Sequence, residues 1–315
     1  MDYPLDAETI MKLSILIVNY NGASYLGNCL RSIEQQVHLD HEVIVVDNAS
    51  TDGSCDLVKA GFPNVQLITG GKNLGFAGGN NLAAGEARGD YLLLLNPDTI
   101  LLTDVNSAIE MMERQHNVGI LGAKMVSGGG EYRFSSGHFP SPLRHLRFSS
   151  MYKKNGFFKH GNFPSGTGQG HAVDWVEGSF LLTRRSLWRK LGGMDEGYFM
   201  YGEDLDYCRR VYDLGFLTHY FPGIRYVHYG GFIPSRLPML LSGFKRYHHK
   251  FSTLSQQILV SWIIVSGLIA RIILHGILLL ITRKPDHRMK VKASVTGLLA
   301  VIDFKYCSEE KSSSS

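Results

Sequence analysis

Five carboxylates, Asp195, Glu196, Glu203, Asp204 and Asp206, crowd the segment "MDEGYFMYGEDLDYCRR" around Phe199 and Tyr201. Carboxylates among aromatics are candidates for general-base work, because partial loss of water raises their basicity toward neutral pH. The acids at 203, 204 and 206 equally suit the first turn of a helix, where they favour its dipole, and the two readings are compatible. Three more polar clusters follow apolar runs. Asp47 ends "VIVVDNAST"; a strand-tip carboxylate can accept from a nucleobase imide or a ribose hydroxyl, or it can close a turn. "NLGFAGGNN", Asn73 to Asn81, brings Gly75, Gly78 and Gly79 to the start of a helix. Such glycines let backbone approach a ligand at the positive helix end, although neither a dinucleotide nor a P-loop fingerprint is matched. "LLLLNPDT" sets Asp98 just beyond a buried strand. A hard divalent cation that shares a diphosphate needs only one or two protein carboxylates, and a Pro-Asp turn is the alternative. His228, in "RYVHYGG", reads alone as an ordinary core or surface histidine.

The elements that must position these groups are legible as apolar runs. Residues 13–18, 43–46, 65–69 and 91–95 read as strands, with a helix through Gln35 after the first. Continuous apolar strands alternating with helices predict a parallel sheet covered on both faces. Ligands of such sheets sit beyond the carboxyl ends of the strands, which is where the clusters at 47, 73–81 and 98 fall. Residues 127–172 are rich in Gly, Ser and aromatics with little periodicity, and are too long for an idle connection. They read as a substrate-facing excursion. Order resumes over 173–183, then a helix over 184–191 and another ending near Leu214.

The chain of 315 residues has a formal charge of only +4, but nine Lys or Arg against one acid, Asp286, lie between Lys245 and Lys292. This basic segment brackets an apolar run, 258–281, so it favours an anionic membrane surface over nucleic acid. Arg271 and His275 interrupt the run. With Gln257, Ser261, Gly267 and Thr282 they form a narrow stripe on a helix, as expected of a helix lying in the membrane interface with that stripe toward the headgroups; a spanning helix and a helix docked on a soluble domain are the alternatives. Four cysteines without ligand-like spacing, and no basic-then-apolar leader at the start, suit a reducing cytosolic setting.

In order along the chain, "SILIVNYNG", "VIVVDNASTDGS", "NLGFAGGNN", "LLLNPDT", "DWVEGSFLLTRRSLW", "LGGMDEGYFMYGEDLDYCRRVYDLGF" and "VHYGG" resemble the inverting glycosyltransferase family 2, in its rhamnosyltransferase-like branch. The resemblance runs from about residue 12 to 235. It implies an α/β class protein with the GT-A nucleotide-diphospho-sugar transferase fold, a mostly parallel Rossmann-like sheet. The expected organisation is an N-terminal extension (1–11), a catalytic domain (12–235), C-terminal membrane-associated helices (236–306) and a disordered tail (307–315). Within the catalytic domain, 12–100 would form the nucleotide-binding half and 101–235 the acceptor half.

The resemblance also implies roles. Asp47 would hold a pyrimidine base, with Asn21, Asn81 and Gly75 lining the nucleotide site. Asn96 would contact ribose or water, Asp98 would hold Mg2+ or Mn2+, and His228 would be a second protein ligand to that metal or to the diphosphate. Asp204 would be the catalytic base, with Glu203 and Asp195 shaping the acceptor side, and Trp175, Glu177 and Gly178 would form the floor under the transferred sugar. The QxxRW motif of processive members is absent, which implies single additions. The expected partners are a dTDP- or UDP-linked sugar, with dTDP-rhamnose first, and a polyprenyl-diphosphate-linked saccharide at the cytosolic membrane face. A nucleotidyltransferase would carry a basic Gly-rich loop where "NYNGASY" stands. A sugar-nucleotide sensor or scaffold without turnover would tolerate loss of Asp98 or Asp204, and both are present.

Overall fold

A computed structural model describes residues 11–145, 170–231 and 234–302. Most of the 127–172 excursion, the N-terminal extension and the Ser-rich tail therefore lie outside the described residues. The first half alternates strand and helix as its apolar runs predict: β1 (Leu13–Asn19), α1 (Ala23–Gln36), β2 (His41–Asp47), α2 (Ser54–Gly61), β3 (Val65–Thr69), α3 (Gly75–Glu86) and β4 (Tyr91–Leu95). Strands β3, β2, β1 and β4 lie side by side and parallel.

The second half adds β5 (Thr99–Leu101), α4 (Asn106–Arg114), β6 (Val118–Val126), β7 (Tyr132–Arg133), β8 (Ser136–Gly137), β9 (His171–Val173), β10 (Trp175–Val176) and β11 (Phe180–Arg184). α5 (Arg185–Leu191), α6 (Glu203–Asp213) and β12 (Leu217–His228) follow. β11 runs antiparallel between β4 and β6, and β6 pairs parallel with β12, so the continuous order is β3-β2-β1-β4-β11-β6-β12-β5. The sheet is thus parallel in its first half and mixed beyond β4.

Period-two alternation divides the interior into two layers. Leu13, Ile15, Ile17, Leu93 and Leu95 face one core with α1 and α4; Leu16, Ile44, Val46, Leu92 and Leu94 face the other with α3, α5 and α6. That second core also holds Phe244 and Tyr247 of α7 (Leu237–Phe251). α7 lies past the boundary expected after residue 235, and it buries these aromatic side chains in the same core as the sheet.

After α7 come α8 (Leu254–Thr282) and α9 (Pro285–Ile302), joined to α7 through Leu237, Leu241 and Leu268. α8 opens with a capping box between Thr253 and Gln256. At 29 residues it is long and apolar enough to cross a membrane, and only 11 % of its most apolar window is buried. Its polar stripe does not face outward along its length as expected. His275 Nδ1 meets His287 Nδ1 at 3.0 Å with the two rings stacked, so the middle of the stripe lies against α9. Leu259, Trp262, Ile273, Ile277 and Leu280 are left exposed on the other side. The apolar α8 turns His275 of its stripe toward the more polar α9, since an unpaired polar group in an apolar setting is costly.

Candidate active site

Parallel strands in register deliver their last residues side by side, and β1 and β2 end on the pair Asn19 and Asp47. The Asn19 amide donates to Asp47 Oδ1 at 3.1 Å and to Ser50 Oγ at 3.1 Å, and the Ser50 N–H donates to Asp47 Oδ2 at 2.9 Å. Burial works to raise the Asp47 carboxyl, but hydrogen bonds from Ser50, Asn19 and Cys55 outweigh it and hold the group below the usual aspartate value. Asp47 is a fixed anion at the strand tip. Asn21 beside it is left-handed at φ 51°, and its Oδ1 accepts from the Thr51 N–H at 2.8 Å. These two expected residues do come together.

Asn81 and Gly75 stand elsewhere than expected. Both amide protons of Asn81 are engaged, with the Met194 carbonyl at 2.8 Å and Glu196 Oε1 at 3.0 Å, and its oxygen accepts from the Met194 N–H at 2.8 Å. It ties α3 to the loop after α5 and has no donor left for a nucleoside. Gly75 has φ 72°, and a Cβ there would strike the Phe199 carbonyl. The close approach that demands glycine is to protein backbone. Asn48 fixes this helix start, accepting from the Leu74 N–H at 3.3 Å and donating to the Gly75 carbonyl at 3.0 Å.

The second group gathers where β4 and β12 end. Asp98 Oδ1 lies 3.2 Å from His228 Nε2, Asn96 Nδ2 lies 3.4 Å from the same nitrogen, and Glu177 Oε1 is 3.7 Å from His228 Nδ1. Arg133 of β7 donates to the carbonyls of His228 (2.9 Å) and Gly230 (2.7 Å), clamping the end of β12. Burial acts against charge on both partners, yet their mutual contact wins: His228 is raised above its ordinary value and Asp98 lowered. Glu177 is pushed up to about 7, first by burial and also by the charges of Asp204 and Asp98, against the pull of His228. A carboxylate oxygen and an imidazole nitrogen on one point are a donor set that fits a divalent cation, provided a diphosphate and water fill the rest of its shell. No group of three or more such ligands occurs among the described residues.

The third group is the start of α6. Gly202, at φ 101°, turns the chain so that Glu203 and Asp204 enter the first turn. Asp204 Oδ2 accepts from the Gly178 N–H at 3.0 Å and Oδ1 from the Leu205 N–H at 2.7 Å. Gly178 follows directly on Glu177, so this bond joins the second and third groups. Burial raises Asp204 despite those hydrogen bonds, and raises Glu203 well above the ordinary glutamate value with help from the Asp204 charge. Glu203 is only 5 % exposed and its Oε2 has no hydrogen-bond partner among the described residues. Asp204 is half-buried and therefore the more open of the pair. Phe76 packs so close to Gly178 that a Cβ there would come within 2.9 Å of its ring.

Two further expectations fall outside this cluster. Trp175 is 7 % exposed, packs in the second core and donates from Nε1 to the His138 carbonyl at 3.1 Å. Asp195 is gripped by Arg246 at 2.7 Å and Lys250 at 2.8 Å, which hold it well below the usual carboxylate range, so it faces α7. Sequence reasoning passed over Asn19, Asn48 and Arg133. The first two lie inside the motifs "SILIVNYNG" and "VIVVDNASTDGS", beside Asn21 and Asp47, which is the signal that points to them; Arg133 lies in a stretch without periodicity and carries none.

The family profile "Glycosyl transferase family 2" matches residues 14–174. The chain is 28% identical over 253 residues to an N-acetylglucosaminyl-diphospho-decaprenol L-rhamnosyltransferase of Mycobacterium tuberculosis (strain ATCC 25618 / H37Rv), spanning 76% of this chain and 81% of the relative. It is 29% identical over 225 residues to rhamnosyltransferase WbbL of Escherichia coli (strain K12), spanning 68% and 82% of the two chains. Among solved structures it resembles the mannosyltransferase PcManGT from Pyrobaculum calidifontis in complex with GDP-Man and Mn2+, with TM-score 0.55 and 16% identity over 92% of this chain and 86% of that one. S. aureus TarS 1-349 in complex with UDP gives TM-score 0.52 and 16% identity over 94% and 91%. These two structural likenesses speak to the GT-A fold.

Proposed function

Because the chain belongs to glycosyltransferase family 2, we propose that it moves one sugar, with inversion, from a pyrimidine nucleoside diphosphate to a hydroxyl of a lipid-linked saccharide. The observation that carries this reading is the bond from Gly178 N–H to Asp204, which sets a half-buried carboxylate of raised basicity one residue from Glu177 and the Asp98–His228 pair. Donor and acceptor machinery thus meet across two residues.

Asp204 takes the proton of the acceptor hydroxyl as that oxygen attacks the anomeric carbon. The new C–O bond forms as the bond from that carbon to the diphosphate oxygen breaks, and the nucleoside diphosphate leaves. A positioned base contributes about 10²- to 10⁴-fold, and the larger share comes from holding both substrates in line. Asp47, fixed by Asn19 and Ser50, accepts from the base imide, and Asn21 borders the nucleoside. Asn96 reaches toward ribose or water beside His228. Glu177 and Gly178 line the transferred sugar. Asp98 and His228 would hold Mg2+ or Mn2+, which when bound neutralises charge on the departing diphosphate. Mn2+ in the PcManGT structure supports that choice of group.

The mycobacterial relative is named for a decaprenol-linked acceptor and L-rhamnose; we take dTDP-rhamnose as donor and a polyprenyl-diphosphate saccharide as acceptor. The α8–α9 hairpin supports action at the cytosolic membrane face. Lys290 and Lys292 sit early in α9, Lys290 pairing with Asp286 at 2.6 Å, and insertion across the bilayer would carry them inward with the hairpin. Lying in the interface, the hairpin buries Trp262, Ile273 and Leu280 among acyl chains while its cations meet anionic headgroups. The test is release of nucleotide from a panel of dTDP-, UDP- and GDP-sugars with a polyprenyl-diphosphate GlcNAc acceptor. Turnover with dTDP-rhamnose is expected; preference for GDP-sugars would refute the pyrimidine assignment.

A further inference from the structure

The loop from Gly192 to Gly202, which leads into Asp204, contains four left-handed residues: Gly192, Gly193, Tyr201 and Gly202. A segment of this kind has no strand ladder or helix to hold it, so its pose is set by what grips it from outside. One grip comes from α3. Asn81 brackets Met194 with two bonds of 2.8 Å, and the Phe76 N–H donates to the Phe199 carbonyl at 3.0 Å.

The other grip comes from α7. Arg246 Nη2 reaches both oxygens of Asp195, at 2.7 and 2.9 Å, and Lys250 Nζ donates to Asp195 at 2.8 Å and to Asp206. The Arg246 guanidinium also lies 5.3 Å over the ring of Tyr198, whose hydroxyl donates to Asp206 at 3.2 Å. Asp206 is wholly buried one turn into α6 and has Arg210 as its second cation at 2.6 Å. α7 approaches so closely that a Cβ on Gly243 would collide with the Tyr201 carbonyl. An isolated exposed ion pair would contribute little. Here two cations bind two acids that flank the base on either side in sequence, Asp195 before it and Asp206 after it.

We propose that Arg246 and Lys250 of α7 are positioning residues for the transfer reaction, fixing the loop and first turn that present Asp204. Neither was expected to serve the site, since sequence reasoning counted both among the basic residues of a membrane segment. The proposal rests on the transferase reading and on Asp204 as its base. It makes α7, which continues within three residues into the apolar α8, a part of the catalytic unit.

The experiment compares Arg246→Ala and Arg246→Lys with the wild-type full chain in vesicle-supported transfer, measuring kcat and donor KM across pH, with folded fraction followed by circular dichroism. Arg246→Ala is expected to lower kcat about 10- to 100-fold, the cost of a displaced catalytic group, with donor KM within about twofold. The acid limb of its kcat profile should move to lower pH, because Asp204 on a loosened loop regains water. Arg246→Lys keeps a cation on Asp195 and should recover most of the turnover. Where Arg246→Ala does not fold, Arg246→Gln gives the same comparison. A kcat within about twofold of wild type, or a loss matched by lost folded protein with the acid limb unmoved, would overturn the clamp alone. A wild-type chain without turnover on any donor would overturn the transferase reading and the clamp with it.

Discussion

Replacing Glu203 with Gln should stabilise the protein at neutral pH. The side chain is 5 % exposed, its Oε2 is unpartnered among the described residues, and the Asp204 carboxylate stands beside it. A buried polar group left unsatisfied costs about 1–3 kcal/mol, more when charged. Glutamine keeps the shape and remains polar, so the gain is the charge-specific part, about 1 kcal/mol at the low end of that range. For a domain of this size that corresponds to about 2–4 °C in Tm.

The pH dependence follows from the direction of the shift. The folded pKa of Glu203 is raised above the ordinary 4.5, so between the two values the folded state holds a proton that the unfolded chain has released. Stability therefore falls as pH rises through that window and stays lower above it. Below 4.5 the side chain is protonated in both states. Thermal unfolding of wild type and Glu203→Gln from pH 4.5 upward should show a Tm difference that starts near zero and grows toward neutral pH. A variant less stable than wild type at pH 7 to 8, or a difference independent of pH, would refute this reasoning.

The proposed metal dependence would carry a linked signature. His228 must be neutral to bind a cation, and its pKa is raised above 6.5 by Asp98 and Glu177 against the effect of burial. The Mn2+ concentration for half-maximal turnover should rise as pH is lowered from above that range, and Asp98→Ala and His228→Ala should each raise it at fixed pH; full turnover in EDTA would contradict this. Single cysteines placed at 255 and 288, on opposite flanks of α8, should both react with an impermeant reagent from the cytosolic side, in a background with the native cysteines replaced. Labelling of one end only would establish a span, and failure to float with anionic vesicles at low salt would remove the membrane role.

The parallel half of the sheet was legible because β1, β2, β3 and β4 are apolar runs ended by turn-forming polar residues. β6 and β12 were not, although they form much of the second half. β6 carries Gly119, Gly122 and Lys124, and β12 mixes Thr218, His219, Pro222 and Arg225 into its length with register breaks near Leu217 and Phe221. Strands of that composition show neither alternation nor a continuous run. At the site, Asp47, Asp98 and Asp204 stand where motif order put them, because each closes or opens an element. Gly75 and Asn81 diverged because a glycine or amide at a helix start signals close approach without saying to what. Asp195 diverged because its partners, Arg246 and Lys250, lie 51 and 55 residues onward.

The most direct test of the transfer mechanism is the turnover of Asp204→Asn on the productive donor and acceptor, measured beside Glu177→Gln and Glu203→Gln. Asparagine keeps size and polarity but takes no proton, so kcat should fall about 10²- to 10⁴-fold with nucleotide affinity unchanged, while the other two variants lose less. Glu177 is an informative control, since its carboxyl, pushed up to about 7 and close to His228, is a second candidate base one residue from Gly178. Turnover of Asp204→Asn within about tenfold of wild type, or the full loss appearing in Glu177→Gln or Glu203→Gln instead, would contradict the assignment of Asp204 as the base.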